Sequence, residues 1–202
     1  MNRRFIRKLA VEETGAAIPE FGFVLLPLLL FLMGGLDLGY QAYLRSVVQG
    51  ALNDIARTGS LEGPTIDCPG AQLEDRVRCA IEARSNIIAR NATYTISMTN
   101  FFDYSTIGRS ERLVTDHNGN GAYNAGDCFV DLNENGSFDA SAGRTGIGGA
   151  DDVVFYRVTV SMPRMFPIHK LINTTPNYRI EATTAVRNQP YASQRQPPTI
   201  CV

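Results

Sequence analysis

Two short segments combine aspartate, asparagine and glycine at the spacing of calcium-binding loops. The first runs from Asp116 to Asp127 (DHNGNGAYNAGD) and carries side-chain oxygens at its first, third and fifth positions and glycine at its sixth. Calcium takes about six to eight oxygen ligands, and glycine at the sixth position permits the sharp turn that brings them together. The predicted ligands are Asp116, Asn118, Asn120, the main-chain carbonyl of Ala122, Asn124 and Asp127.

A second copy of the pattern begins at Asp131 (DLNENGSFD), and its predicted ligands are Asp131, Asn133, Asn135 and Asp139. Its twelfth position is Ala142, so the closing acid is missing; Asp151 or Asp152 could supply one. Both loops resemble those of EF-hand-like and dockerin-like calcium modules, without the flanking helix pair. The alternative is that aspartate, asparagine and glycine serve here only as turn residues. In the calcium interpretation, the ion has a structural role in ordering these loops.

The chain that carries these loops also contains a long apolar segment near its N-terminus. It is apolar from Phe21 to Leu36 except for glycines and Pro27, and a bilayer core needs about 20 apolar residues in a helix. We therefore predict one membrane-spanning helix. Basic residues precede it, which places the N-terminus in the cytoplasm and everything after about Leu44 on the other side of the membrane. These basic residues are Arg3, Arg4, Arg7 and Lys8.

Glu20 stands where this apolar run begins, although a charge at the bilayer centre costs about 3 kcal/mol or more. Gly15 is followed by four small or apolar residues and then by Glu20 and Phe21, which resembles the processing site of type IV prepilins of the Flp/Tad branch. The segment up to Arg57 is similar to the TadE-like minor pilin, or pseudopilin, family. The matching residues are Glu20, Phe21, Pro27, Gly35, Asp37, Tyr43, Ala51, Ala56 and Arg57.

The resemblance implies that a prepilin peptidase cuts between Gly15 and Ala16. Glu20 of the same or a neighbouring subunit would then neutralise the new amine of Ala16. It further implies a single-pass protein of the bacterial inner membrane, with a periplasmic domain and possible entry into the pilus. Its N-terminal helix would pack against other Tad pilus subunits in fibre initiation or assembly.

Two alternatives to this interpretation remain open at the level of sequence. The apolar segment could be an uncleaved signal anchor; a cleaved secretory signal fits less well, because no good small-x-small site follows Met33. The protein could also be a membrane-anchored, calcium-dependent binding or adhesion module of the cell envelope, with the two loops as its working surface.

Composition argues against two other functional classes. The 202 residues include 19 Lys and Arg against 20 Asp and Glu, so there is no electrostatic case for nucleic-acid binding. The only histidines are His117 and His169, and no Ser/His/Asp or Cys/His arrangement stands out. We therefore expect a protein that is not an enzyme.

The four cysteines are predicted to lie on the oxidising side of the membrane, where an even number suggests disulfides. Three connectivities are possible, and spacing favours Cys68–Cys79 and Cys128–Cys201. Zinc is a weaker interpretation, because the chain has no Cys-x-x-Cys pair.

The predicted fold class is α+β, with a long N-terminal transmembrane helix that continues as a stem, a second helix, and a small antiparallel sheet of three or four strands with Asp/Asn/Gly-rich loops. An apolar stripe predicts that the first helix ends at Gly59; its residues are Tyr43, Leu44, Val47, Val48, Ala51, Leu52 and Ile55. The second helix is predicted over about 71–89 and strands over 93–99, 112–115, 153–162 and 177–186. The predicted parts are a leader (1–15), the membrane and stem helix (16–58), an α+β domain (59–187) and an extended tail (188–202).

Overall fold

A computed structural model describes residues 17–167 and 169–202 of the chain. The predicted leader and the predicted cleavage site between Gly15 and Ala16 lie outside the described residues. The helices are α1 (Ala17–Gly59), α2 (Leu73–Ser85) and α3 (His169–Ile172), with a short 3-10 helix at Tyr104–Thr106. The strands are β1 (Thr93–Phe101), β2 (Arg112–Thr115), β3 (Cys128–Val130), β4 (Arg144–Thr145), β5 (Val153–Pro163), β6 (Asn177–Arg187) and β7 (Thr199–Cys201). The α+β prediction is confirmed.

The contacts divide the chain into two compact units. In the described part of the chain, the first unit comprises residues 17–42 of α1 and the segment Arg164–Pro176, which includes α3. The second unit comprises Tyr43–Pro163 and Asn177–Val202, and it contains both sheets, α2 and the C-terminal part of α1.

The larger sheet of the second unit has the strand order β4-β1-β5-β6, with antiparallel neighbours throughout. Strand β5 is central and long because its sequence alternates, so that Val154, Tyr156, Val158 and Val160 are buried on one face. On the other face, the Arg157 guanidinium lies 3.2 Å from the carboxylate of Glu181 on β6. One face of this sheet is therefore available to cover a core.

The C-terminal part of α1 and helix α2 supply that core. The predicted stripe on α1 is confirmed, since Leu44, Val48, Leu52 and Ile55 are all buried, whereas Tyr43 is exposed. Helix α2 buries Val77 and Ile81. Near the end of α1, a Cβ added at Gly59 would lie 3.5 Å from the Tyr156 hydroxyl oxygen and from a Val77 methyl, an ordinary van der Waals distance, so the helix end packs against both the sheet and α2.

A second, three-stranded sheet has the order β2-β3-β7 and contains the strand that joins the two Asp/Asn loops. Cys128 on β3 and Cys201 on β7 are register partners and form a disulfide. The other disulfide joins Cys68 to Cys79 on α2. Both favoured pairings are thus confirmed.

The predicted antiparallel sheet of three or four strands is present with four strands, and a second sheet accompanies it that the sequence did not predict. Seven strands in two sheets occur among the described residues, and the sequence prediction missed β3, β4 and β7. These strands have three, two and three residues. Runs this short carry no measurable alternation, and their strand conformation depends on distant partners. Strand β2 was predicted correctly but pairs in the second sheet.

Candidate functional site

The two Asp/Asn loops share several main-chain hydrogen bonds at equivalent positions. At the first position, the Asp116 carboxylate accepts from the N–H of Gly121 at 2.7 Å, and Asp131 accepts from the N–H of Gly136 at 2.8 Å. At the fifth position, Asn120 Oδ1 accepts from the N–H of Ala122 at 2.8 Å. The equivalent Asn135 Oδ1 accepts from the N–H of Ser137 at the same distance.

The backbone of the two loops repeats as well. Gly121 and Gly136, both at the sixth position, have φ values of 73° and 80°, a region that favours glycine. The fourth position is also left-handed in both loops, with φ of 67° at Gly119 and 58° at Glu134. The predicted role of glycine at the sixth position is therefore confirmed, and the second loop repeats the conformation of the first.

Asp127 stands at the twelfth position of the first loop, where the spacing predicts a closing carboxylate. It is buried, and its two oxygens accept from the N–H of His117 at 2.9 Å and of Asn124 at 2.8 Å, the second and ninth positions. The hydrogen bond from His117 lowers the pKa of Asp127, although burial opposes it. The pKa of Asp139 is also lowered, by hydrogen bonds from the amides of Asn133 and Asn135.

In the second loop the same place is taken by Glu111, which precedes both loops in sequence. Its two carboxylate oxygens accept from the N–H of Leu132 at 2.8 Å and of Asp139 at 3.0 Å, again the second and ninth positions. Glu111 is only 2% exposed, and burial raises its pKa, with the charge of Asp131 adding to the effect against three main-chain hydrogen bonds. Glu111 thus supplies the carboxylate that is missing at the twelfth position of the second loop, where the residue is Ala142.

Of the two residues suggested from sequence to close the second loop, Asp152 binds elsewhere. Asp152 accepts from the N–H of Gly149 at 2.8 Å and from the side chain of Gln194 at 3.2 Å, in a different cluster. Glu111 was missed because about twenty residues and two strands separate it from the loop, and the linear spacing of a motif carries no such information.

Aromatic side chains connect the loops to each other. The eighth positions are Tyr123 and Phe138, whose rings stack with centroids 4.6 Å apart and planes 6° apart. Phe129 on β3, fully buried, meets each of them edge-on at 5.5 Å. Stacked and edge-to-face pairs of this kind add about 0.5–1.5 kcal/mol beyond burial. The loops therefore form one paired element around Phe129.

The oxygen atoms of the two loops can be compared with the ligands that a calcium ion requires. Among the described residues, no group of three or more His, Cys, Asp or Glu side chains lies close enough to hold a metal ion. A cation would therefore depend on asparagine and main-chain oxygens as well as carboxylates. The oxygen of Asn135 accepts one N–H and keeps a second lone pair. The oxygen of Asn120 accepts the N–H of Ala122 and also the side-chain amide of Asn124 at 3.2 Å, so this amide would have to turn away before Asn120 could bind an ion. With that rearrangement, the residues fit a calcium ion in kind.

The other predicted site lies at the start of α1. Glu20 falls in its first turn and is exposed, and Phe21 is exposed beside it. Pro19 also lies in this turn, where its missing N–H leaves no helical hydrogen bond unmade. Among the described residues, α1 is the one helix whose length and composition would allow it to cross a membrane.

Asp37, near the middle of α1, is buried and paired. Its carboxylate lies 2.5 Å from the guanidinium of Arg164, which belongs to the same unit. The sequence showed Asp37 as one of the residues of the family resemblance but could not show its partner, which lies 127 positions further along the chain.

The fold and these sites describe a protein with one helix suited to a membrane, followed by an α+β unit with paired polar loops. Comparison with protein families shows that the model described as TadE-like protein matches residues 15–57. The resemblance inferred from the N-terminal sequence is confirmed, and residues 15–57 are TadE-like. The match ends at the end of α1, so both sheets and both Asp/Asn loops lie outside it. No curated protein and no solved structure matches the chain.

Proposed function

We propose that this protein is a membrane-anchored minor pilin or pseudopilin-like component of Tad-type pilus assembly, with a structural rather than enzymatic role. The observation that carries the proposal is the TadE-like match over residues 15–57, which covers all of the apolar helix except its last two residues. Other subunits of the pilus would be its partners through this helix, and a prepilin peptidase would process it.

The exposure of α1 supports this proposal. Phe23 is 83% exposed, and large apolar side chains remain exposed along the helix; they include Leu26, Phe31, Leu32 and Leu36. Side chains of this size in water would favour aggregation, so a bilayer or the helices of other subunits must cover them. The basic residues before Gly15 favour the inner membrane with the N-terminus in the cytoplasm.

Processing at Gly15 tests the proposal directly. We expect protein purified from membranes of cells with the cognate prepilin peptidase to begin at Ala16, by N-terminal sequencing and intact mass. The matched control is Gly15→Leu in the same cells, which should retain Met1 because the peptidase no longer finds a small residue before the bond. An intact Met1 on the unaltered protein would instead indicate a signal anchor and contradict prepilin processing.

We propose in addition that the paired loops bind calcium in a structural role, a function that would also suit an adhesion module of the envelope. The specific observation in favour is the shared pattern of the two loops, including a carboxylate from Asp127 or Glu111 at the same place. A bound ion would add to Phe129, which is fully buried and contacts an aromatic ring of each loop, in holding the two loops together.

Calcium should raise the melting temperature of the full-length protein in detergent, measured by circular dichroism with calcium and with EDTA. At calcium about a hundredfold above the dissociation constant, linkage gives about 2.7 kcal/mol, or roughly 5–10 °C for a domain of this size. Asp116→Asn and Asp131→Asn should each reduce the rise because a ligand charge is lost. Asp151→Asn, the same change outside both loops, should keep it. An unaltered protein that melts at one temperature in both buffers would contradict calcium binding.

A further inference from the structure

The segment Arg164–Pro176, hereafter the 164–176 loop, joins the two longest strands but belongs to the same compact unit as residues 17–42 of α1. Its sequence, RMFPIHKLINTTP, contains Arg164, His169 and Lys170 and no acidic residue. Apolar residues make up much of the remainder. The loop is therefore both basic and apolar, a composition typical of segments that lie in the interface of a membrane.

Arg164 fixes the loop to α1. Its guanidinium contacts the carboxylate of Asp37 at 2.5 Å, and Nε donates to the carbonyl of Thr175 at 2.9 Å. The N–H of Arg164 donates to the carbonyl of Pro176 at 3.0 Å, so both ends of the loop meet at this residue. The exposed fractions of the side chains are 1% for Asp37 and 14% for Arg164. Separating a buried charge pair is costly because each charge is left without its partner. The pair therefore holds the loop at one height along α1.

That height can be compared with the thickness of a bilayer. A helix rises 1.5 Å per residue, which places Asp37 about 26 Å further along α1 than Glu20. The hydrocarbon core of a bilayer is about 30 Å thick. If Glu20 lies at one boundary of the core, Asp37 and the loop that it holds lie near the other boundary.

The loop presents suitable side chains at this height. Met165 is 57% exposed, Phe166 is half-buried and Lys170 is exposed. Apolar side chains can enter the acyl region here, while lysine reaches the anionic headgroups that attract basic residues. We propose that the 164–176 loop is a second membrane contact of this protein, seated in the interface of an anionic bilayer beside α1. The inference rests on the proposed function insofar as α1 must span the membrane.

Tryptophan fluorescence tests this proposal, because the chain contains no tryptophan. Met165→Trp in the full-length protein is reconstituted into vesicles of equal phosphatidylethanolamine and phosphatidylglycerol, with and without bromine near the headgroup end of the acyl chains. Interfacial side chains are buried about 5–10 Å deep, so we expect the bromines to remove roughly half of the emission. Phe23→Trp provides the reference inside the membrane, and Tyr191→Trp, an exposed position in the other unit, provides the reference in water.

The outcomes separate the loop from the helix. Quenching of Met165→Trp by brominated lipid, with protection from iodide, supports the proposal. Quenching by iodide alone, while Phe23→Trp responds to bromine, overturns it and leaves the proposed function intact. Protection from both quenchers also overturns it, because a protein neighbour would then cover the loop. Absence of bromine quenching at Phe23→Trp overturns the membrane span itself and this inference with it.

A charge variant checks the role of the headgroups. Lys170→Glu, introduced beside Met165→Trp, should reduce bromine quenching in the anionic vesicles and change it little in uncharged phosphatidylcholine vesicles. Phe23→Trp with Lys170→Glu should keep its quenching, which shows that the protein is still inserted. An equal response of Met165→Trp with and without Lys170→Glu in anionic vesicles would contradict the anionic interface.

Discussion

Replacing Glu20 with alanine is expected to reduce surface pili by on the order of a hundredfold while the protein remains in the membrane. In the proposed processed form, Ala16 would be the first residue, four positions before Glu20 in sequence. Glu20 lies in the first turn of α1, beside the positive end of the helix dipole and at the edge of the apolar run. Removing one partner of a charge pair that is buried between subunit helices costs about 3 kcal/mol, which corresponds to on the order of a hundredfold in an association equilibrium.

Pili should be counted by electron microscopy, with the amount of protein in the membrane determined by immunoblot. Glu62→Ala provides the matched control, since Glu62 is an exposed carboxylate of the second unit outside the TadE-like segment. Glu20→Asp, which keeps the charge, should retain more pili than Glu20→Ala. Normal piliation by Glu20→Ala would contradict the proposed role of this carboxylate, whereas loss of the protein from the membrane would indicate an insertion defect.

Removing the disulfide between Cys128 and Cys201 is expected to lower the free energy of unfolding of the second unit by about 4 kcal/mol, on the chain-entropy model. This disulfide joins two cysteines that are 73 positions apart in the sequence, so it closes a long loop of chain. It also joins β3 to β7, two antiparallel strands of three residues each that pair over only three register positions. Because β3 connects the two Asp/Asn loops, the loss should also loosen their arrangement around Phe129.

The other disulfide provides the comparison. Cys68→Ala with Cys79→Ala removes a closure of 11 residues, for which the same model gives about 3 kcal/mol. Denaturant unfolding of full-length protein in detergent, followed by circular dichroism, measures both double variants. A smaller loss for Cys128→Ala with Cys201→Ala than for the Cys68 and Cys79 pair would contradict this ranking and show that the second sheet is held mainly by its other contacts.

Much of the fold was predictable because its signals are local. The stripe on α1 repeats with the period of a helix, and β5 and β6 alternate with the period of a strand, so both kinds of element could be recognised within a short window. Gly121 and Gly136 marked the turns of the two loops because few other residues adopt their φ values easily.

Long-range contacts could not be predicted in the same way. The pairing of Arg164 with Asp37 joins residues 127 positions apart, and the closure of the second loop by Glu111 skips over the first loop. The short strands β3, β4 and β7 are strands because they form hydrogen bonds with neighbouring strands that are distant in sequence. No local propensity specifies such contacts, because the free energy that favours them comes from burial and hydrogen bonds formed only after the chain has folded.

The sequence by itself therefore determined the TadE-like helix, the α+β class and the presence of two Asp/Asn loops, and its spacing favoured the disulfide pairs that the structure shows. Only the tertiary structure decided that these loops form one element stacked through Tyr123 and Phe138, that Glu111 completes the second, and that the 164–176 loop is fixed to α1. The physical reason is the same in each case. Periodicity and turn chemistry act over a few neighbouring residues. The hydrogen-bond partners of a buried carboxylate, in contrast, are N–H groups and basic side chains that come close to it only when the chain has folded.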